Sequence, residues 1–365
     1  MNPEVLFQDL VSIPSLSGEE GEIANFLETV LLNEGLDFQR IGDNLLVQID
    51  RGPGPDIFFT SHLDTVPPAT NWQGDPWQAQ WQDHRLCGLG TNDAKGCVVA
   101  MLAAAHQFRS LAWQGKLTVA LVVEEETSNA GIAEVLKATS LPDMAVVGEP
   151  TDLEVVRAQA GLAILVAEWQ GQSCHAAHVA KVPHVHALHR AATEISALPE
   201  HVFFTEDHPL LGATSLVPTV FKSGDRHNRI PDVAEAVYDV RLVPPDRAES
   251  VAAWLQTQLP KAAVRIRSSR LKPVETPADH PLVLEALAAA GKAEAIGSTT
   301  LSDMALLHQV PVVKCGPGNT SRSHTPNEYL DRHELQQGIA FYRQLLQRLA
   351  NLVPASCTTS SQLSA

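Results

Sequence analysis

The chain has 365 residues, 44% of them hydrophobic and 19% charged, with a formal charge of −16 at pH 7. That length exceeds what one hydrophobic core usually supports, so two domains are expected. So acidic a balance argues against nucleic acid or an anionic membrane as partner, yet leaves room for a small anionic substrate beside a local cluster of cations or metal.

The first residues are interrupted by Glu4 and Asp9, and no long apolar run follows, so they do not read as a signal peptide. Ser17-x-x-Glu20 reads as a capping box. After it Ile23, Phe26, Leu27, Val30 and Leu31 fall on one helical face, and Gly35 supplies a stop. A strand is expected over 44–49, a turn at 52–55, and a short buried strand over 57–61 that ends in His62-Leu63-Asp64-Thr65. The Ala-, Val- and Leu-rich stretch 96–108 reads as a helix. Apolar strands over 117–123 and 144–147 end in Glu124-Glu125-Glu126 and Gly148-Glu149-Pro150. Strands alternating with helices predict an α/β sheet covered on both faces.

The character changes at about residue 162. Strands over 162–169 and 236–242, with a helix near 186–198, suggest a small α+β insertion. After Pro273 the first pattern resumes through 282–289, 310–314 and a helix near 335–350. The Ser- and Thr-rich end is expected to be a disordered tail. The domain reading is therefore 1–161 and 274–350 as one interrupted domain, 162–273 as the insertion, and 351–365 as the tail. The five cysteines (Cys87, Cys97, Cys174, Cys315, Cys357) are odd in number and lack a Cys-x-x-Cys pair, which suits a reduced cytoplasm. No apolar stretch is long enough to span a bilayer.

His62, Asp93, Glu126, Glu149 and His324 stand out by context. They are too far apart for a zinc finger, and no His-Glu-x-x-His is present. Most of them follow apolar strands, however, and ligands of open α/β sheets bind outside the strand C-termini. Imidazole and carboxylate donors suit zinc, cobalt or manganese, and five of them, one bridging, are enough for two ions. Asp64 lies where it can accept a proton from the second ring nitrogen of His62 and so fix its tautomer. Asp93 sits in a loop between Gly90 and Gly96. Glu125 and Glu126 are adjacent and so point to different places, one to bind and one to move protons. Each residue alone also reads as an ordinary solvated group. Gly88-Leu89-Gly90 and Gly316-Pro317-Gly318 lack the later glycine of a dinucleotide fingerprint, and no Walker lysine or Gly-x-Ser-x-Gly elbow occurs.

Six stretches resemble motifs of the M20 metallohydrolases, in that family's order and over nearly the whole chain. They are Ser61-His62-Leu63-Asp64-Thr65-Val66-Pro67, Gly88-Leu89-Gly90-Thr91-Asn92-Asp93-Ala94-Lys95-Gly96, Glu124-Glu125-Glu126-Thr127-Ser128, Val147-Gly148-Glu149-Pro150-Thr151, Asn228-Arg229-Ile230-Pro231 and His324-Thr325-Pro326-Asn327-Glu328-Tyr329. The resemblance implies a zinc-exopeptidase-like catalytic domain, a mixed sheet flanked by helices, interrupted by an α+β lid that often makes a homodimer. It implies two divalent ions, zinc or cobalt, with Asp93 bridging, His62 and Glu149 on one metal, and Glu126 and His324 on the other. Glu125 matches the family's general base. Gly171-Gln172-Ser173-Cys174-His175 is similar to the lid motif whose histidine reaches the tetrahedral intermediate, with Cys174 in place of a glycine; His178 reads as a polar neighbour.

The implied substrate is a small N-acyl amino acid. Asn228, Arg229, Arg241 and Arg322 are candidates to bind it, an arginine taking a carboxylate two-pronged; each arginine equally fits a structural salt bridge. Ala160 stands where many relatives carry a basic residue. Gly148-Glu149-Pro150-Thr151 with Val156-Arg157-Ala158, and Gly316-Pro317-Gly318 with Ser323-His324-Thr325, resemble the deacetylases of N-acetylornithine in arginine biosynthesis. Desuccinylation of an N-succinyl amino acid, deacylation of N-acetylcitrulline, a metal-dependent dipeptidase or carboxypeptidase, and a non-catalytic binding protein on the same fold are the rival readings.

Overall fold

In the computed structural model, which describes residues 1–352, the chain divides into two compact units. The first comprises Met1–Arg157, Glu275–Ile296 and the chain from Ser302 on; the second comprises Ala158–Val274 with Gly297–Leu301. The tail expected over 351–365 lies, from residue 353, outside the described residues.

The first unit is built on a mixed sheet. Within this unit, strands run in the order Phe38–Ile41, Asn44–Asp50, Lys116–Val122, Asp56–His62, Met144–Val147 and Val312–Lys314. Asp56–His62 lies parallel to both Lys116–Val122 and Met144–Val147, and Val312–Lys314 parallel to Met144–Val147, while Asn44–Asp50 is antiparallel to its neighbours. Central parallel strands are covered on both faces, which is why they read as unbroken apolar runs rather than alternations. Helices flank the sheet. Gly96–Phe108 is buried along nearly all its length, and Arg332–Leu349 packs against it through an amphipathic face that includes Phe341, Tyr342 and Leu345. The Phe59 and Tyr342 rings meet at 5.7 Å between centroids.

Two local features depart from the sequence expectation. A helix at Pro3–Val11 opens the chain. Asn2 caps it by accepting from Glu4 N at 3.1 Å, Pro3 occupies its first turn, and Leu6, Phe7, Leu10 and Val11 are buried. The Ser17-x-x-Glu20 capping box is not formed. Helix Gly21–Asn33 starts at Glu20 without a side-chain cap, and the Ser17 hydroxyl instead donates to Asp64 Oδ2 at 2.7 Å.

The second unit is an antiparallel sheet in the order Val202–His208, Gly212–Ser223, Val233–Leu242, Gly161–Gln170, Ala262–Leu271. Ala234, Ala236, Tyr238 and Val240 alternate inward and share a core with helices Ala187–Ile195 and Ala248–Gln258. The Trp169 indole donates to Glu194 at 2.7 Å within that core. Among the described residues no helix is long and apolar enough to cross a membrane.

Candidate metal centre

His62 closes the strand Asp56–His62 and is buried. Its Nδ1 lies 2.8 Å from the carbonyl oxygen of Asp64 and 3.5 Å from Asp64 Oδ1. A carbonyl only accepts, so Nδ1 carries the proton and the lone pair of the neutral ring is on Nε2. The nearer partner is thus the backbone of Asp64 rather than the expected carboxylate. Nε2 points to Asp93 Oδ1, 3.3 Å away. Asp93 sits in the turn Thr91–Lys95 with non-helical φ and ψ of −124° and 94°. Its other oxygen, Oδ2, lies 3.7 Å from His324 Nε2. That same nitrogen lies 3.0 and 3.1 Å from the two carboxylate oxygens of Glu126. Glu149 follows the strand Met144–Val147.

Two groups of donors result, His62–Asp93–Glu149 and Asp93–Glu126–His324, each with its ligand atoms within 4.8 Å of one another. His62, Glu126 and Glu149 converge because parallel strands deliver their C-terminal ends to one edge of the sheet, while Asp93 comes from the Thr91–Lys95 turn and His324 from the segment after Thr320–Arg322. Asp93 is common to both groups.

The electrostatics of the metal-free protein point the same way. Burial and the nearby Asp93 push Glu149 up to about 8. Burial and Glu149 hold Glu125 well above the usual carboxylate range. The hydrogen bond to Glu126 raises His324 to about 9. Burial opposes the charged forms of His62 and Asp93, but their mutual hydrogen bond, with Asp64 on the imidazole, prevails: His62 is raised and Asp93 lowered. Protons here compensate for carboxylates crowded out of water, a task that divalent cations perform better. The mixed imidazole and carboxylate set therefore fits such ions.

Glu125 belongs to neither group, although Glu149, Glu126 and His62 all act on its charge. Its turn is held from below. The Asp64 carboxylate accepts from Glu125 N at 3.0 Å, Glu126 N at 3.1 Å and the Ser17 hydroxyl. Glu20 accepts from Glu124 N at 2.9 Å. Asn129 donates to the Glu125 carbonyl at 3.1 Å and to buried Asp303 at 3.0 Å. Lys314 ends a buried strand, is itself 3% exposed, and faces Glu149, Glu125 and Asp93 electrostatically; burial lowers its ammonium. Sequence reading missed Ser17, Glu20, Asn129, Asp303 and Lys314 as parts of this site. The one available signal was Lys314, a charge inside an otherwise apolar strand.

Of the remaining candidates, Arg322 belongs to the first unit and His175, Asn228, Arg229 and Arg241 to the second. Arg322 donates from Nη1 to both carboxylate oxygens of Glu334, at 3.0 and 2.8 Å, and stacks over Tyr329 at 4.3 Å. In the second unit, exposed His175 accepts at Nδ1 from Ala177 N at 3.1 Å, which leaves the proton on Nε2. Neighbouring backbone ties it to Asn228 and Arg229: Ala176 N donates to the Asn228 carbonyl at 2.9 Å, and His175 bridges Arg229. Cys174 is not among the described residues with positive φ, so this backbone does not need the glycine. Arg229 pairs with Asp225 and Asp232, both at 3.3 Å, and Arg241 with Asp239 at 2.9 Å, all on the surface.

The family model described as peptidase family M20/M25/M40 matches residues 58–348. Acetylornithine deacetylase of Klebsiella pneumoniae is 28% identical over 358 residues, covering 89% of this chain and 92% of that protein. Among solved structures, a tripeptidase from Staphylococcus aureus superposes with a TM-score of 0.77 at 21% identity, over 96% of this chain and 100% of that one. A dinuclear metal binding peptidase from Bacillus subtilis does so with a TM-score of 0.74 at 18% identity, over 95% and 96%.

Proposed function

The chain belongs to peptidase family M20/M25/M40 and is a metal-dependent amidohydrolase, and from that premise we propose that it removes the acyl group from an N-acyl amino acid, N-acetylornithine foremost, in arginine biosynthesis. The carrying observation is the pair of donor groups sharing Asp93, with Glu125 beside them and outside both. The similarity to acetylornithine deacetylases over most of the chain supports the acyl amino acid as substrate.

On this reading His62, Asp93 and Glu149 would hold one divalent ion, zinc or cobalt, and Asp93, Glu126 and His324 a second. Such ions, when bound, polarise the amide carbonyl and make water acidic near neutral pH. Glu125 takes the proton of the attacking water and passes it to the departing amine, a task suited to a carboxylate whose burial raises its basicity. Asp64 keeps the 125–126 turn still while this happens. His175 offers its Nε2 proton to the developing oxyanion. Asn228, Arg229 and Arg241 are the proposed contacts to substrate, with Arg322 a further one if it exchanges Glu334 for the ligand.

We also propose a homodimer through the second unit. Among the described residues, strand Gly212–Ser223 is paired by Val202–His208 only as far as Leu216, which leaves its 217–223 edge open, and Val217, Val220 and Phe221 on it are exposed. A second copy supplies a self-complementary edge.

The test is release of free amine from N-acetylornithine, N-acetylcitrulline, N-succinylornithine, N-succinyl-diaminopimelate and a few dipeptides after loading with zinc or cobalt. Clear preference for N-acetylornithine is expected. Preference for a succinyl compound or a dipeptide would discard the substrate and keep the chemistry; no turnover of any would favour a binding protein on this fold.

A further inference from the structure

We infer that Glu328 is a positioning residue of the metal centre: its buried carboxylate holds the 90–93 loop in the shape that presents Asp93 to both histidines. The inference rests on the reading of Asp93 as a metal ligand.

Glu328 is 2% exposed. Its Oε1 accepts from Asn92 N at 2.6 Å and Asp93 N at 2.9 Å, and its Oε2 from Gly90 N at 3.3 Å. Its own carbonyl accepts from Gly88 N at 3.0 Å. One residue therefore satisfies four amides of the loop that carries Asp93. Three N–H groups converging on one carboxylate form a cradle for negative charge, here filled from within the chain. Both carboxylate oxygens are so engaged, which separates Glu328 from the ligand set.

The loop needs such an anchor because its conformation is tight. Gly90 has φ +82°, and a Cβ there would lie 2.7 Å from Thr65 Cγ2. Asp93 departs from helical geometry just before the helix Gly96–Phe108 begins. Without an acceptor, the buried amides at 90 and 92 and the partly buried one at 93 would be unpaired. The anchor is also well sited. Glu328 lies four residues after His324, so the segment that delivers one ligand grips the loop that delivers another. Asn92 adds a second link: its Nδ2 donates to Asn319 O at 3.1 Å and Ser323 Oγ at 3.2 Å, and its Oδ1 accepts from Asn319 N at 2.8 Å. Asp93 and His324 are thereby fixed relative to each other before any metal arrives.

The experiment compares wild-type protein with Glu328→Gln. Glutamine keeps the shape but sets an NH2 group against one of the three amides. Chelator competition should show zinc bound about 10- to 100-fold more weakly by the variant, and the visible spectrum of its cobalt form should change while its far-ultraviolet circular dichroism does not. Wild-type affinity and an unchanged cobalt spectrum in Glu328→Gln would overturn this inference alone. Absence of zinc uptake by the wild type would overturn the metal reading and this inference with it. Should the variant fail to fold, hydrogen exchange in the wild type decides. The amides of Asn92 and Asp93 should be protected equally with and without zinc. Rapid exchange in the metal-free protein would show that metal, not Glu328, orders the loop.

Discussion

Glu125 and Glu126 share a peptide bond, yet one joins His324 and the other stays outside both donor groups. Asp64 accepts from both of their amides and so fixes the turn from which the two side chains leave. Removing the proton acceptor while keeping its shape should abolish chemistry and spare metal. Glu125→Gln is expected to lower kcat by about 10²–10⁴-fold with two metal equivalents retained by elemental analysis; near-normal turnover would remove Glu125 from this role. Asp64→Ala asks a different question. It leaves the partly buried amides of Glu125 and Glu126 without their acceptor, a cost of up to about 1–3 kcal/mol each. The displaced base should then lower kcat more than it changes KM, which initial-rate kinetics would show. An effect confined to KM would mean that Asp64 acts on substrate binding instead.

At the scale of elements, a charged side chain in a central strand is the informative exception. Val312–Lys314 is buried throughout, and Lys314 helps to hold Glu149 in its charged form. Replacing it by methionine removes that help, so the carboxylates should take up protons more readily. The acid limb of the kcat/KM profile is expected to move to higher pH in Lys314→Met; an unmoved limb would mean that bound metal screens the lysine completely. Much of the scaffold was readable beforehand. Helix Gly96–Phe108 and strand Met144–Val147 have the bounds expected of them, because buried elements write continuous apolar runs. Motif context picked out the five residues that the fold gathers into two donor groups. The helix Pro3–Val11 does not show in the sequence because nine residues give little periodicity. Ser17 has the spacing of a cap, but its hydroxyl goes to Asp64, 47 residues away. Lys314, Asp303 and Glu20 escaped for the same reason: a buried charge is explained by partners that only the fold brings near.

For the whole molecule, the open edge beside Phe221 makes a prediction about assembly. Light scattering should find a dimer for the wild type and a monomer for Phe221→Asp; a wild-type monomer at micromolar concentration would remove the proposed interface. The titration of the centre makes another, about stability. In the metal-free fold Glu149 sits at about 8 against an ordinary 4.5, and His324 at about 9 against 6.5. Both groups bind protons more tightly folded than unfolded. Their contribution to stability is complete below the ordinary values and is lost as pH rises through 8 and 9. Metal binding expels these protons, so the loaded protein has none of that contribution to lose, and metal competes better as protons become scarce. Melting temperatures of metal-free and zinc-loaded protein should therefore diverge between pH 6 and pH 9, with the metal-free form falling. A gap that stays constant over that range would mean that the metal-free centre does not hold these protons, and that its carboxylates are neutralised in some other way.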